Sequence, residues 1–443
     1  MTHPRDTPVT VVGAGLGGAL MANHLAHAGY PVQVYERRPD PRQAGISEGR
    51  SINLAISVRG LHALQEVGLD RAVLDQSVAM RGRMIHSRTG ELSYQPYSRN
   101  AGDAIYSVSR GALNLILVDA AERHGVGVHF GCKCTGLDLE TGLIAFEGNG
   151  PPPAPGGFVV GADGAFSAIR ARMERLDRFD YSQSYLEHGY KELTLPAGPG
   201  GAFAMEKNAL HIWPRQSFMM IALPNFDGSY TCTLFWPYKG RCSFEAVRTE
   251  AEIVETFERE FPDAIAKFPD LVEQYQTNPV GSLVTIRCGP WYVRDKVVLL
   301  GDAAHAVVPF YGQGANAAFE DCTVLSACLR EHADRATAFR EYYTSRKRHA
   351  DALADLAVEN FVEMRDRTAD PKFRRKKKLE RRLHGLFPRW CLPLYNMVTF
   401  SRIPYDDART RARRQDAMVR RVAWGVAALA ALALLLSVSA ILS

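Results

Sequence analysis

No two cysteines in this sequence stand at a spacing that binds zinc or cycles a disulfide. Eight are scattered over 443 residues, and the closest pair, Cys132 and Cys134, has one residue between them where such sites use two or more. A disulfide scaffold is therefore excluded, and reduced thiols in a cytoplasmic compartment are expected. A charged leader followed by an apolar segment is also missing: "MTHPRDTPVTVVGAG" runs straight into a strand-like segment, so nothing suggests secretion. Internal repeats are absent. His305 has no His, Cys or carboxylate spaced to form a metal site with it, so no metal is expected and His305 reads as structural.

Cations interleaved with stacking aromatics are lacking too. The net charge is +5, but residues 365–421 carry eighteen Lys or Arg against six Asp or Glu, which leaves the rest of the chain acidic by about seven charges. Within that region "KFRRKKKLERR" (372–382) is a bare cationic run, which argues against nucleic acid. The segment that follows, "VAWGVAALAALALLLSVSAILS", has no charge and is long enough to cross a ~30 Å hydrocarbon layer as a helix. Arginines at 409, 411, 413, 414, 420 and 421 precede it. A membrane anchor helix at 422–442 is expected, with the catalytic body on the cytoplasmic side.

What is present begins at the N-terminus. An apolar strand at 8–13 leads into "GAGLGGALMANHLAHAG", a glycine turn opening a helix, and then "PVQVYERR", a second strand with Glu36 at its end. This is a βαβ unit with G-x-G-x-x-G at Gly13, Gly15 and Gly18 around Leu16, and an acid eighteen residues beyond. The glycines permit a tight turn, approach of a pyrophosphate and close helix–strand packing, while the helix start supplies partial positive charge. Glu36 is placed to accept hydrogen bonds from ribose hydroxyls. A dinucleotide is expected, but this unit alone leaves NAD and FAD both open.

Two later strands also end in acids. "FVVGADGAFSAIR" delivers Asp163, and "LLGDAAHAVVPFYGQGANAAFEDC" delivers Asp302 ahead of Gly312, Gly314 and a helix starting near Ala315. Together with the first turn they fit one extended cofactor touching several strand ends, with Asp302 bonding polyol hydroxyls and the helix start facing a planar ring that becomes negative on reduction. Between 185 and 285 the texture changes to alternating strands, as in "FMMIALPN" and "YTCTLFWPY", which reads as an antiparallel sheet over a pocket. The fold class expected is α/β: a Rossmann-like FAD-binding domain (1–180 and 281–330), an inserted antiparallel-sheet substrate domain (181–280), a helical C-terminal region (331–421) and a C-terminal transmembrane helix (422–442).

"GAGLGG", "GADGAFSAIR" and the long "GDAAH" segment together resemble the group A flavoprotein monooxygenases. More closely, "GRSINLAIS", "MRGRMIHS", "YSVSR", "HGYKEL", "HIWPR", "FMMIALPN", "TCTLF", "ENFVEMRD" and "PLYNMVTFSR" look like the kynurenine 3-monooxygenase branch of that family, from residue 8 to about 407. The resemblance implies hydroxylation of L-kynurenine with FAD, NADPH and O2 through a flavin C4a-hydroperoxide, so no side chain is expected to be catalytic in its own right. It also implies FAD contacts at Glu36, Arg37, Ala55, Arg110, Asp302, Ala315 and Asn316, and a substrate pocket of Arg83, Tyr97, Phe310, Asn360 and Tyr395. Arg83 and Tyr97 would hold the substrate carboxylate, a group that a guanidinium fork suits better than an ammonium. Ala315 stands where the resemblance leads one to expect Met, but the contact there is mainly through the backbone. The absence of a second complete G-x-G-x-x-G unit fits transient nicotinamide binding. Other readings are a hydroxylase or epoxidase of the same family acting on a different aromatic or a lipid, and a membrane flavoprotein that oxygenates nothing.

Overall fold

Residues Val9–Val12 (β1) are three valines and a threonine, buried on both faces as the centre of a covered parallel sheet requires. The computed structural model describes residues 6–43, 53–98, 100, 102–363, 380, 383, 385–387 and 390–442. From β1 the chain passes through α1 (Leu16–His27) to β2 (Val32–Glu36), parallel to β1 with Val9 opposite Val32. Then come β3 (Leu54–Ile56), α2 (Val58–Gln65), α3 (Asp70–Leu74), β4 (Ser77–Met80), β5 (Gly82–His86), β6 (Leu92–Pro96) and β7 (Ile105–Val108). The Ser109 hydroxyl caps α4 (Arg110–Arg123) by accepting the Ala112 N–H, and β8 (Gly127–Phe130) follows beside β2. A hairpin of β9 (Lys133–Leu137) and β10 (Ile144–Glu147) precedes β11 (Phe158–Gly161), which lies parallel to β1 on its other side.

After α5 (Ala168–Met173) come β12 (Asp180–Leu195), β13 (Ala209–Pro214), β14 (Met219–Pro224), β15 (Tyr230–Pro237), α6 (Glu250–Glu260), α7 (Leu271–Thr277) and β16 (Gly281–Gly289). These strands form a seven-stranded sheet in the order β16-β12-β15-β14-β13-β5-β6, so strands near residues 82–96 and 281–289 join those of the 181–280 segment. Side chains alternate as the pleat demands. Leu210, Met219, Ile221 and Phe235 face a cavity, while Trp213, Met220, Leu234 and Trp236 pack on α6 through Phe257 and Phe261. Residues 250–277 depart from the alternating texture. Ile253, Thr256, Phe257 and Glu260 recur at helical spacing and bury one side, and Thr249 with Glu252 closes a capping box.

The chain then re-enters the first sheet through β17 (Tyr292–Val293) and β18 (Val297–Leu299), completing the order β17-β18-β11-β1-β2-β8. The helices α8 (Asp302–His305), α9 (Gly314–Glu331), α10 (Arg335–Val362), α11 (Leu394–Thr399) and α12 (Tyr405–Leu442) follow.

The expected transmembrane helix at 422–442 requires correction. That stretch is the distal part of α12, and among the described residues no helix is long and apolar enough to cross a membrane. Freedom from charge is not enough, because the stretch is not a separate helix but continues one that starts at Tyr405. The first half of α12 belongs to the body of the protein, with Tyr405 and Ala408 buried against Leu353 and Leu356. The cationic run 372–382 lies outside the described residues, apart from Glu380.

Candidate functional site

A cavity of about 370 Å³ lies between the carboxyl ends of the parallel strands and the inner face of the seven-stranded sheet. Its floor is the glycine turn after β1. Gly13 has φ +101°, and a Cβ there would sit 2.5 Å from the Ala162 carbonyl oxygen; one on Gly18 would sit 1.9 Å from that of Gly13. These two positions cannot carry a side chain. Gly15 differs, because a Cβ there would meet nothing within 4 Å and the residue borders the cavity. Its bare backbone leaves room for a ligand, not for a neighbouring element.

Behind the turn, the buried Glu36 accepts the Ala14 N–H (2.9 Å) on one oxygen and the Arg38 N–H and Nε (2.9 and 2.8 Å) on the other. Burial works against its charge, but Arg38 and the two backbone donors outweigh it and hold the carboxyl below its ordinary range. Arg37 is exposed and takes no part in the cavity wall. The Asp163 carboxylate is occupied by the Ser167 hydroxyl and the Ala168 N–H (2.5 and 2.7 Å), bracing the start of α5, while Gly164 and Ala165 reach the wall. Asp302, the first residue of α8, and Arg110, the first of α4, are both exposed and line the cavity.

Helix α9 begins at Gly314, so Gly314 and Ala315 bring unpaired first-turn N–H groups to the wall. Asn316 fixes this helix start. Its amide nitrogen donates to the Ala55 and Gly312 carbonyls (2.8 and 2.9 Å), and its oxygen accepts the Ser57 N–H (2.8 Å). The strand carrying Ala55 and the helix start are thereby held on opposite sides of one slot.

At the far end, β5 turns Arg83 into the cavity. The Arg83 guanidinium carbon lies 4.5 Å from the Tyr395 ring centroid and 5.7 Å from that of Tyr97. Among the described residues neither Arg83 Nε nor the Tyr97 hydroxyl, both buried, has a hydrogen-bond partner, and no carboxylate pairs with Arg83. Burial pushes the Tyr97 phenol well above its ordinary value, so the ring stays neutral. Phe310 packs between Phe235 and Phe361 at centroid distances of 4.9 and 4.3 Å, and Asn360 donates to its carbonyl at 2.7 Å.

Of the residues singled out from the sequence, Gly15, Leu16, Ala55, Arg83, Arg110, Asp302, Phe310, Gly314, Ala315 and Tyr395 line the cavity. Gly13, Gly18, Glu36, Arg37, Tyr97, Asp163, Asn316 and Asn360 do not; Gly13, Gly18, Tyr97, Asn316 and Asn360 stand directly against residues that do, while the carboxylates of Glu36 and Asp163 bond residues one step removed from the wall.

The FAD binding domain family model matches residues 6–357. A kynurenine 3-monooxygenase of Myxococcus xanthus is 48% identical over 430 residues, covering 96% of this chain and 93% of its own length. One from Dictyostelium discoideum is 44% identical over 418 residues, covering 91% and 90%. The chain belongs to the kynurenine 3-monooxygenase family. Members of this FAD-binding group share their fold with more distant proteins. A tetrameric 2-methyl-3-hydroxypyridine-5-carboxylic acid oxygenase superposes with a TM-score of 0.66 at 22% identity, covering 81% of this chain and 92% of that one. The tetracycline destructase Tet(51) gives 0.61 at 16% identity, covering 90% and 99%. These two likenesses concern the fold alone.

For a kynurenine 3-monooxygenase family member, the residues that sequence reasoning passed over are mostly apolar. Leu210, Met219, Ile221, Leu223 and Phe235 line the cavity, and their signal was the period-two alternation of β13–β15. Tyr311 was also missed; its ring lies 5.9 Å from that of Tyr395, and burial raises its phenol far above the ordinary value. Nothing in its local sequence marks it. His305 donates to the Asp321 carboxylate at 2.6 Å and packs on Trp291, and among the described residues no cluster of His, Cys, Asp and Glu is placed to hold a metal.

Proposed function

We propose that this chain hydroxylates the ring of L-kynurenine ortho to its amine, giving 3-hydroxykynurenine and consuming NADPH and O2 with FAD as cofactor. The observation that carries this reading is the unpaired cation of Arg83, with the orphan Tyr97 hydroxyl beside it, at one end of a cavity whose other end is a glycine cradle. A buried guanidinium without a counter-ion is costly, and a substrate carboxylate supplies the missing partner. A neutral lipid would leave it uncompensated.

The cradle suits FAD. Open space over Gly15, the Glu36 carboxylate behind the turn and the exposed Asp302 offer room for a pyrophosphate and acceptors for sugar and polyol hydroxyls. When bound, FAD supplies hydride acceptance from NADPH and the activation of dioxygen. The chain's own work is placement. Arg83 and Tyr97 hold the carboxylate; Tyr395, Phe310 and Asn360 fix the ring's orientation; Leu210, Met219, Ile221 and Phe235 keep water away from the reacting atoms. Ala55, Arg110, Gly314 and Ala315 would hold FAD, the last two offering first-turn N–H groups that favour negative charge. Leu16 and Gly15 would border the pyrophosphate, while Gly13, Gly18, Asp163 and Asn316 shape the wall from behind. On this reading 1–180 and 281–330 form the FAD-binding domain, 181–280 the substrate domain and 331–421 a helical region completing the pocket.

The test is to purify the protein, record its visible spectrum, and measure NADPH oxidation with and without kynurenine alongside the hydroxylated product. Stoichiometric product and substrate-accelerated oxidation are expected. Oxidation that yields peroxide alone, or a colourless protein that does not take up FAD, would reject the reading.

A further inference from the structure

Tyr395 covers Arg83, yet the segment that carries it has few polar attachments of its own. Among the described residues, the hydrogen bonds tying the main chain of 394–403 to another element both come from one side chain, Arg59 of α2. Arg59 Nε donates to the Val398 carbonyl at 3.3 Å, and a terminal nitrogen donates to the Ile403 carbonyl. The Val398 carbonyl lies in the last turn of α11, where it has no intrahelical partner and a cation is favoured.

The rest of the fork is used as fully. The other terminal nitrogen of Arg59 pairs with Glu320 of α9 at 2.6 Å, and its guanidinium carbon stacks 4.2 Å from the Tyr405 ring centroid. Arg59 is 1% exposed, a location that a solvated surface arginine does not adopt. Its own helix is fixed to the flavin-facing end of the molecule, because the Asn316 oxygen accepts the Ser57 N–H at the start of α2. One planar group therefore refers the position of α11 to the same helix, α9, whose start borders the cofactor cradle.

We propose that Arg59 is a positioning residue, holding α11 and with it Tyr395 over the Arg83 end of the cavity. This rests on Arg83 being the carboxylate-binding group. Glu320 also pairs with Arg346 at 2.5 Å, so removing the Arg59 charge does not strand a carboxylate. The effect falls first on Val398 and Ile403, whose carbonyls lose their donor, while the Tyr405 hydroxyl keeps its own bond to Gln313 at the start of α9 (3.2 Å) and so continues to brace the cofactor end. A lysine has no planar fork and can replace only part of this set.

The experiment uses the full chain loaded with FAD. Kynurenine affinity is read from the flavin spectrum, with KM, kcat and peroxide release measured beside it, for Arg59→Met, Arg59→Lys, Tyr395→Ala and the Arg59→Met/Tyr395→Ala pair. Loss of two charge-assisted hydrogen bonds should raise Kd and KM by about 10-fold or more in Arg59→Met, with FAD content retained and kcat within about 3-fold. Arg59→Lys should recover part of the loss. In the Tyr395→Ala background, Arg59→Met should add less than about 2-fold. An unchanged Kd, or the same loss with and without Tyr395, overturns the proposal.

Should Arg59→Met not fold, deuterium uptake of the Arg59→Lys holoenzyme decides: faster exchange confined to 394–403 supports the role, and a uniform rise refutes it. That readout needs no substrate. If the wild-type holoenzyme ignores kynurenine, the substrate assignment fails while the exchange result still stands or falls for Arg59.

Discussion

Replacing Arg83 with methionine should separate binding from stability in a way few substitutions do. In the free enzyme the Arg83 Nε is buried and unbonded, and among the described residues the side chain has no carboxylate partner, only the rings of Tyr97 and Tyr395. Methionine keeps much of the volume and can set its sulfur against the same rings, but brings no charge. Truncating one side of a buried, hydrogen-bonded charge pair costs about 2–5 kcal/mol of binding, or about 30- to 5,000-fold in Kd. The free protein, by contrast, loses an uncompensated buried cation, so its melting temperature should stay level or rise. The assay is titration of the FAD-loaded variant with kynurenine, followed by a flavin-fluorescence melt of the same sample. A Kd within about 3-fold of wild type would refute the assignment of Arg83 to the carboxylate. A fall in stability of more than about 2 kcal/mol would instead make Arg83 a structural residue whose partner lies in the protein.

The glycine cradle predicts opposite outcomes for two neighbours. Gly15→Leu should fold yet lose its flavin absorbance, since a Cβ there meets no protein atom, whereas Gly18→Ala should be destabilised whether or not FAD is present, because its Cβ falls 1.9 Å from the Gly13 oxygen. Asn316→Ala removes three hydrogen bonds and strands the buried Ser57 N–H, so a stability loss of about 2–4 kcal/mol in urea is expected, with weakened FAD retention. His24, buried between α1 and α2 and bonded to the Ala63 carbonyl, is pushed down to about 4 by burial. Its folded value lies below the unfolded one of about 6.5, so its neutral form costs nothing above that pH and stability is lost as pH falls from about 6.5 to about 4. The loss is about 3 kcal/mol, and urea melts of His24→Gln at pH 7.5 and 4.5 should differ less than those of wild type by that amount.

The cofactor half was legible because its signals are local. A strand buried on both faces reads as a nearly continuous apolar run, as in "VTVV" and "FVVG", and the glycines and strand-end acids sit beside such runs in the chain. What escaped reading depends on distant partners. Glu36 was found by position, but its salt bridge to Arg38 and not Arg37 follows from how the chain leaves β2. Asp163 has the same sequence setting as Asp302, yet a serine four residues on captures its carboxylate for α5 while Asp302 stays exposed to the cavity. Tyr311 and Arg59 acquire their roles only when α11 returns across α2 and α9. The tail misled because length and lack of charge do not reveal that α12 starts seventeen residues earlier, packed on the body of the protein.

One pairing explains how two halves with different chemistry build a single site. Among the described strands of the seven-stranded sheet, neighbours run antiparallel except β5 and β13, which are parallel with Leu210 opposite Arg83. A parallel pair cannot be closed by a hairpin, so its two strands must come from separate passages of the chain. Here β5 comes from the passage that also holds Ala55 and Arg110, and β13 from the inserted sheet. The register does more than join them. Since side chains opposite one another share a face, placing Arg83 against Leu210 sends the guanidinium into the apolar cavity, whereas a one-residue slip would turn it toward Trp213 and α6. The cation is thus committed to the cavity by backbone register, and Tyr395, held by a different helix, closes over a group whose direction is already set.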